Sequence, residues 1–502
     1  MLENIMIGIT AAFQIQNCLY AFGGCALGIL FGALPGVSAT MGVAVLIPLS
    51  YSLDTVPALI LLAAVYCGAT YGGSISAILI NTPGTPANAA TAIDGYAMTK
   101  KGLGKEALVE SVVASTWGGL ISAVALLFIA PPLARFSLKF GPWENALMAI
   151  FGLSIIASLS SHALLKGFLG GLFGILIGCV GLDPIYGQPR FTFGNFQLLN
   201  GIAFVPALVG LYSISQVLVL VTSNQSHIVD KSAIQQIKKK KIKFKDLVRY
   251  PKTYVISSII GVVIGIVPGA GGQIASYLAY NQAKRTSKHP EEYGTGSREA
   301  VASAESSNNG VTGGSLIPML TLGIPGNSTA AIMMGALMMK GLFPGNDLFT
   351  GKGYITYPFI IGFFIANIAM LIWGLYGSSF FSQIIRTPRE FLAAGILGLT
   401  VIGSFAINNN IFDVYVMLIF GVIGYLLKQV NIEATPIVLG MILGPIAERG
   451  LAQSISISGG LSAALLAMLT RPICIVLILA SVASVALPLW QDHKAKKKQE
   501  EG

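Results

Sequence analysis

The sequence predicts an all-α polytopic membrane protein of about 10–12 transmembrane segments, arranged as two inverted repeats whose helices break, or fold back as re-entrant hairpins, at Pro-Gly pairs. Three observations carry this. First, 54% of the 502 residues are hydrophobic and only 10% are charged. Mean hydropathy is +0.74, and that composition leaves too little polar surface to cover a soluble globule. Second, the apolar runs are continuous rather than alternating, which disfavours a closed β-barrel. Third, the chain repeats itself around a basic linker.

The clearest runs lie at 57–80, 107–130, 145–160, 167–182, 201–222, 354–376, 391–407 and 411–428. A crossing takes about 20 apolar residues for a core of roughly 30 Å. The opening MLENIMIGITAAFQIQN has no basic flank and no small-residue cleavage site, so its first helix is expected to be kept. Cys18, Cys25, Cys67, Cys179 and Cys474 stand singly in apolar runs and read as small core residues, with neither disulfide nor metal expected.

The net charge of +10 is uneven. The segment 231–252 carries nine Lys or Arg against one Asp, and the tail HKAKKKQEEG is also basic. Beside membrane helices such a loop reads as a cytoplasmic anchor rather than a nucleic-acid patch. Counting crossings back from it places Lys100, Lys101, Lys105 and Lys166 inside and leaves Arg135, Lys139 and Arg190 outside. The side of the C-terminal tail stays open, because Arg471 and Pro472 interrupt the last apolar stretch.

GILFGALPG at 28–36 matches GVVIGIVPG at 261–269, and YGGSISAIL at 71–79 matches TGGSLIPML at 312–320, each of the latter two followed by a Pro-Gly. FGLSIIAS (151–158) then pairs with LGLTVIGS (397–404), and VPALVGL (205–211) with TPIVLGM (435–441). Four matches in one order argue for duplication. The organisation read from them is a first membrane repeat over 1–222, the basic linker 223–252, and a second repeat over 253–450. Further membrane helices follow at 451–490, then the basic tail 491–502. Residues 253–280 are expected to dip into the membrane and return, and the first half to do so from the opposite face.

Proline removes a backbone donor and pushes its predecessor out of the helical region, so each Pro-Gly is expected to end a helix inside the membrane. Broken backbone at that depth survives only where it is buried in protein or lines a wet cavity. A lone pair reads as a kink. Here four occur in two sets with hydroxyl or amide flanks: Pro35-Gly36 with Ser38 and Thr40; Pro83-Gly84 with Asn81, Thr82, Thr85 and Asn88; Pro268-Gly269 with Gly271, Gly272 and Gln273; Pro325-Gly326 with Asn327, Ser328 and Thr329. Helices starting at 86–91 and 327–331 would aim N–H groups into the gap and favour an anion, while unwound carbonyls and hydroxyls hold a small cation. No Lys or Arg lies in these motifs, so bound cations would supply the charge balance.

Asp94, with Thr91 nearby, reads either as a helix cap near the mouth or as a coupling-ion ligand. Glu305 precedes Asn308 and Asn309 and is expected near a helix start, where dipole complementarity would explain it as readily as ion coupling. His162, His227, His289 and His493 fall in loops or linkers. No GxxxxGK[ST], HExxH or GxSxG occurs, so an enzyme is not expected, and energy must come from an ion gradient or another subunit.

The stretches GALPGVSAT, YGGSISAILINTPGTPANAATAIDGYAMTKKG, GLDPIYGQPRFTFG, GIVPGAGG and AESSNNGVTGGSLIPMLTLGIPGNSTAAIMMGAL together resemble the large membrane subunit of the tripartite tricarboxylate transporters, the TctA family. The resemblance covers roughly 18–450. It implies a multi-pass protein of the bacterial inner membrane that works with a small four-helix membrane subunit and a periplasmic solute-binding protein. It also implies uptake of di- or tricarboxylates driven by sodium or protons, with no cofactor beyond a bound Na+ as coupling ion. Its motif positions fall on Pro83, Gly84, Thr85, Asp94, Gly95, Glu305, Asn308, Asn309, Pro325 and Gly326. A departure at Asn327-Ser328 bears on which carboxylate fits. The competing reading is a passive channel or scaffold whose partner does the selecting.

Overall fold

The computed structural model describes residues 2–159, 164–183, 187–222, 244–384 and 387–500. Most of the basic linker, together with His162 and His227, lies outside them. The chain is an all-α polytopic membrane protein. Seven described helices are long and apolar enough to cross a bilayer, and one pair bent by 101° makes an eighth.

Two compact units are present, each drawing on both halves of the sequence: Met1–Arg135 with Tyr212–Asn410, and Phe136–Leu211 with Ile411–Gly502. The first holds α1 (Leu2–Ala12), α2 (Ile15–Ala33), α3 (Ala39–Tyr51), α4 (Thr55–Ile80), α5 (Ala89–Lys100) and most of α6 (Gly104–Phe136). The second opens with α7 (Pro142–Leu159), α8 (Leu164–Gly178) and α9 (Phe204–Val209). The first resumes with α10 (Ser215–Thr222), α11 (Phe244–Leu247), α12 (Pro251–Ile266), α13 (Gly271–Thr286), α14 (Arg298–Leu322), α15 (Ser328–Met339), α16 (Gly353–Ile384) and α17 (Arg389–Asn408). The second closes with α18 (Ile411–Gln429), α19 (Ala434–Ser458), α20 (Leu461–Thr470) and α21 (Pro472–Glu500). His493, expected in a loop, falls on α21.

Within the first unit, glycine sets the packing. Gly24, Gly28 and Gly32 of α2 lie against Leu61, Val65 and Ala69 of α4, and Gly68 and Gly72 lie against Cys25 and Ile29. Position numbers rise together, so α2 and α4 run parallel with backbones nearly touching. α12 and α14 repeat the arrangement, with Gly261 against Ser307, Gly265 against Val311 and Gly310 against Ser258. Parallel neighbours separated by a helix require that helix to return. α2–α3 and α12–α13 are therefore hairpins with their Pro-Gly at the tip.

The two halves run in opposite senses. One Asn88 amide reaches both the Thr70 carbonyl of α4 (3.4 Å) and the Glu305 carboxylate of α14 (3.1 Å), while Tyr66 of α4 meets Ser315 of α14 (3.1 Å). Going backward along α4 goes forward along α14, so these equivalent helices are antiparallel. α6 accompanies α14 in the same direction, with Ser115 at Glu305 and Gly313 against Ser122. Its counterpart α16 accompanies α4, with Gly362 against Ile60 and Asn367 against Cys67. That is the geometry of inverted repeats.

Only two of the Pro-Gly pairs behave as the sequence suggested. α4 and α14 end earlier, at Asn81 and Gly323, two residues before their prolines, where left-handed φ values of 53° and 71° close them. Each chain then doubles back in extended form, so that Gly84 N–H bonds the Gly73 carbonyl (3.2 Å) and Gly326 N–H bonds the Ser315 carbonyl (3.3 Å). The second Pro-Gly of each half thus leads into the next helix about two turns back from the end of the one before. A left-handed cap, Asn81 in one half and Gly323 in the other, acts before proline as the terminator.

In the second unit, Gly174 of α8 packs against Ile437 and Gly440 of α19. Arg471 pairs with buried Glu144 at 2.8 Å, and Arg190 reaches Glu448.

Candidate substrate and ion site

The four breaks come together in the first unit through three kinds of contact. Within the first half, Gly84 abuts the Gly32 backbone, and within the second, Gly326 abuts that of Gly265. Gly269 N–H donates to the Gly326 carbonyl at 2.8 Å, tying the two second-half breaks directly. Across the halves, Thr40 Oγ1 and Thr329 Oγ1 are 2.9 Å apart, and Gly272 leaves so little room that a Cβ there would sit 2.9 Å from both Ala87 Cβ and Asn308 Oδ1. Each hairpin tip therefore meets the doubled-back segment of the other half.

The Thr40–Thr329 side is neutral and hydroxyl-rich. Ser38 caps α3 by accepting from Met41 N–H (3.2 Å), and Asn327 caps α15 by accepting from Ala330 N–H (2.9 Å). The Asn327 amide also donates to Tyr66 Oη at 2.6 Å, and Tyr66 meets Ser315. Two helix N-termini are thus presented beside one another, the partial positive charge that suits a carboxylate. Pro35, Gly36 (φ 85°), Pro325 and Ser328 complete the turns that bring them there.

The opposite side holds the buried acid. Glu305 stands at the eighth position of α14, fully buried, not near a helix start as expected. Its Oε1 accepts from Asn88 Nδ2 (3.1 Å) and Thr91 Oγ1 (2.5 Å), and its Oε2 from Ser115 Oγ (2.9 Å). Thr85 Oγ1 steadies Asn88 by donating to its Oδ1 at 2.6 Å. No Lys, Arg or His lies within ion-pair distance of Glu305 among the described residues. An isolated buried carboxylate is costly, and a bound proton or cation would offset that cost. Asn308 Nδ2, both side-chain polar atoms of Asn309, and the hydroxyls of Ser307 and Tyr71 are buried without a hydrogen-bond partner. One carboxylate with neutral amide and hydroxyl oxygens is a donor set for a hard cation, not a soft metal.

Asp94 is not part of this group. It is buried, and its carboxylate accepts from the backbone N–H of Gly294, Gly296 and Ser297 and from Tyr280 Oη, all at 2.8–3.0 Å. It caps the entry to α14 from another helix. Asn81, Thr82 and Pro83 lie on the doubled-back segment, with Thr82 Oγ1 on the Ile80 carbonyl (3.2 Å). Pro268, Gly269 (φ 78°) and Gly271 (φ 67°) form the second hairpin tip.

Sequence reasoning missed Tyr66, Thr70, Ser115 and Ser315. Ser315 had a signal, since it aligns with Ser74 in the GGS match. Ser115 and Tyr66 lie in ordinary apolar runs with none.

Residues 18–439 match the family described as the tripartite tricarboxylate transporter TctA family. An uncharacterized 52.8 kDa protein in the TAR-I ttuC' 3' region of Agrobacterium vitis is 35% identical over 497 residues, covering 99% of this chain and 98% of the relative. An uncharacterized protein in the TAR-II ttuC' 3' region of the same organism is 35% identical over 239 residues, 48% of this chain and 98% of the relative. No solved structure matches. With the match running from the first broken helix through both repeats, the chain belongs to the tripartite tricarboxylate transporter TctA family.

Proposed function

We propose that the chain is the large permease subunit of a secondary transporter of the bacterial inner membrane, importing di- or tricarboxylates by alternating access and driven by a sodium or proton gradient. It would act with a small four-helix membrane subunit and a periplasmic solute-binding protein. The carboxylate binds where the N-termini of α3 and α15 meet, held by Ser38, Thr40, Asn327, Ser328 and Thr329. The coupling ion sits at Glu305 with Asn88, Thr91, Asn308 and Asn309.

The observation that carries this reading is the Glu305 carboxylate, a buried acid of the second half whose hydrogen-bond donors are neutral groups of the first half. Loading it with a proton or Na+ changes the charge beside the anion site, and the two halves must separate for that cargo to leave. Family membership supports the transport class.

The test is uptake into liposomes holding the protein with its small subunit and binding protein. A radiolabelled panel of citrate, tartrate, succinate and glutarate is offered under imposed sodium or proton gradients. Saturable, concentrative uptake with one gradient is expected. Flux that runs only downhill and stays linear with concentration would replace the carrier with a channel or scaffold.

A further inference from the structure

The two doubled-back helices end in the same way. After α5, Gly102 N–H bonds the Thr99 carbonyl and Leu103 N–H that of Met98, both at 2.9 Å. After α15, Gly341 N–H bonds the Met338 carbonyl (2.9 Å) and Leu342 N–H that of Leu337 (3.0 Å). Lys101-Gly102-Leu103 and Lys340-Gly341-Leu342 are thus equivalent. Each helix also grips the turn that leaves the hairpin of the other half, but with opposite chemistry.

On α5 the grip is Asp94. Its carboxylate gathers three backbone N–H groups of the α13–α14 turn and the Tyr280 hydroxyl, fully buried. A negative charge at the start of α14 is where the helix dipole favours it. On α15 the grip is Lys340. Its ammonium donates to the carbonyls of Tyr51 (2.8 Å) and Leu53 (2.6 Å) and lies 5.3 Å from the Tyr51 ring centre. These are the orphan carbonyls at the end of α3, where a cation is favoured. The residue equivalent to Asp94 in the second half is Met333, so the two grips are not copies of one ancestral contact.

Because the repeats are inverted, the two gripped turns lie at opposite ends of the antiparallel α4 and α14. The α13–α14 turn lies at the level where α12 begins, on the side of the basic linker. The α3–α4 turn lies on the other.

We propose that Asp94 and Lys340 are positioning residues that hold the two faces of the transport site shut: Asp94 closes the linker face, Lys340 the opposite face. The closures differ in strength. Asp94 is buried with four N–H or O–H donors, whereas Lys340 is half-exposed and holds two carbonyls, so the Lys340 face opens first. The binding protein's face would then be the resting entrance. This rests on the transport reading, but its test does not need transport.

A single reporter, Ala44→Cys, is placed in a variant lacking the native cysteines. Ala44 is fully buried on α3 between Thr40 and the gripped turn. Modification by a membrane-impermeant maleimide is timed in vesicles of each orientation, without substrate. Lys340→Met is expected to raise the rate at least about tenfold from the face opposite the linker and leave it unchanged from the linker face, with Lys340→Arg at the wild-type rate. Asp94→Asn with an Ala279→Cys reporter on α13 is expected to do the reverse. If Asp94→Asn does not fold, the Lys340 pair still decides. Equal acceleration from both faces, no acceleration, or failure of arginine to restore the rate would overturn the proposal. Loss of transport with these rates as stated would count against the transport reading alone.

Discussion

Asn88 and Glu305, 217 positions apart in the chain, are joined by a 3.1 Å hydrogen bond that ties the doubled-back segment of the first half to the central helix of the second. The same amide holds the Thr70 carbonyl of α4 (3.4 Å). One side chain therefore reports on both antiparallel helices at once, and the acid it serves has no cationic partner among the described residues.

The ion site predicts a graded response to loss of its donors. A hydrogen bond to a charged group contributes about 1.5–3 kcal/mol, and each 1.4 kcal/mol is about tenfold in affinity. Both hydroxyls donate to the unloaded carboxylate, so Thr91→Val and Ser115→Ala should each shift the half-saturating concentration of the coupling ion at least about tenfold, downward for a proton, whose bound form loses these bonds, and upward for Na+, which takes the hydroxyl oxygens as ligands, leaving carboxylate affinity at saturating ion nearly unchanged. Uptake measured across a range of ion concentrations checks this.

The anion side predicts the converse. Asn327→Leu removes the α15 cap, a loss of about 1 kcal/mol, and takes away the donor to Tyr66. Its half-saturating carboxylate concentration should rise about tenfold, with ion dependence kept. Thr40→Val, which breaks the contact with Thr329, should shift the same quantity in the same direction. Equilibrium binding of labelled carboxylate to detergent-purified protein reads the effect directly.

Backbone contact between the paired helices predicts where methyl groups are forbidden. A Cβ on Gly84 or Gly326 would run into the carbonyls of Gly32 or Gly265, and overpacking of this kind costs about 1–3 kcal/mol. Gly84→Ala and Gly326→Ala should therefore lower the midpoint of thermal unfolding in detergent. Gly395→Ala, on α17 with nothing within 4 Å, should not.

The duplication was legible because glycine and proline are punctuation. The G-x3-G-x2-P-G match marked both hairpins, and inversion followed from where the basic residues fall. Which Pro-Gly ends a helix was not legible, because Asn81 and Gly323 stop the helices first, and a left-handed cap two residues upstream of the proline leaves no distinct pattern. Thr85, Asn88, Thr91 and Glu305 stood out as polar residues in apolar surroundings. Their association depends on α14 running antiparallel to α4, a long-range fact that local spacing does not encode. Ser115 and Tyr66 were invisible for the same reason, and Lys340 looked like any basic residue at a helix end.

The central claim is that Glu305 carries the coupling ion between two inverted halves. Carboxylate accumulation by liposomes holding wild type and Glu305→Gln, under the same imposed gradient and with equal amounts of inserted protein, tests it most directly. The account predicts that the wild type concentrates substrate, and that Glu305→Gln binds it and exchanges it across the membrane but no longer concentrates it. Gradient-driven accumulation by Glu305→Gln at the wild-type level would contradict it.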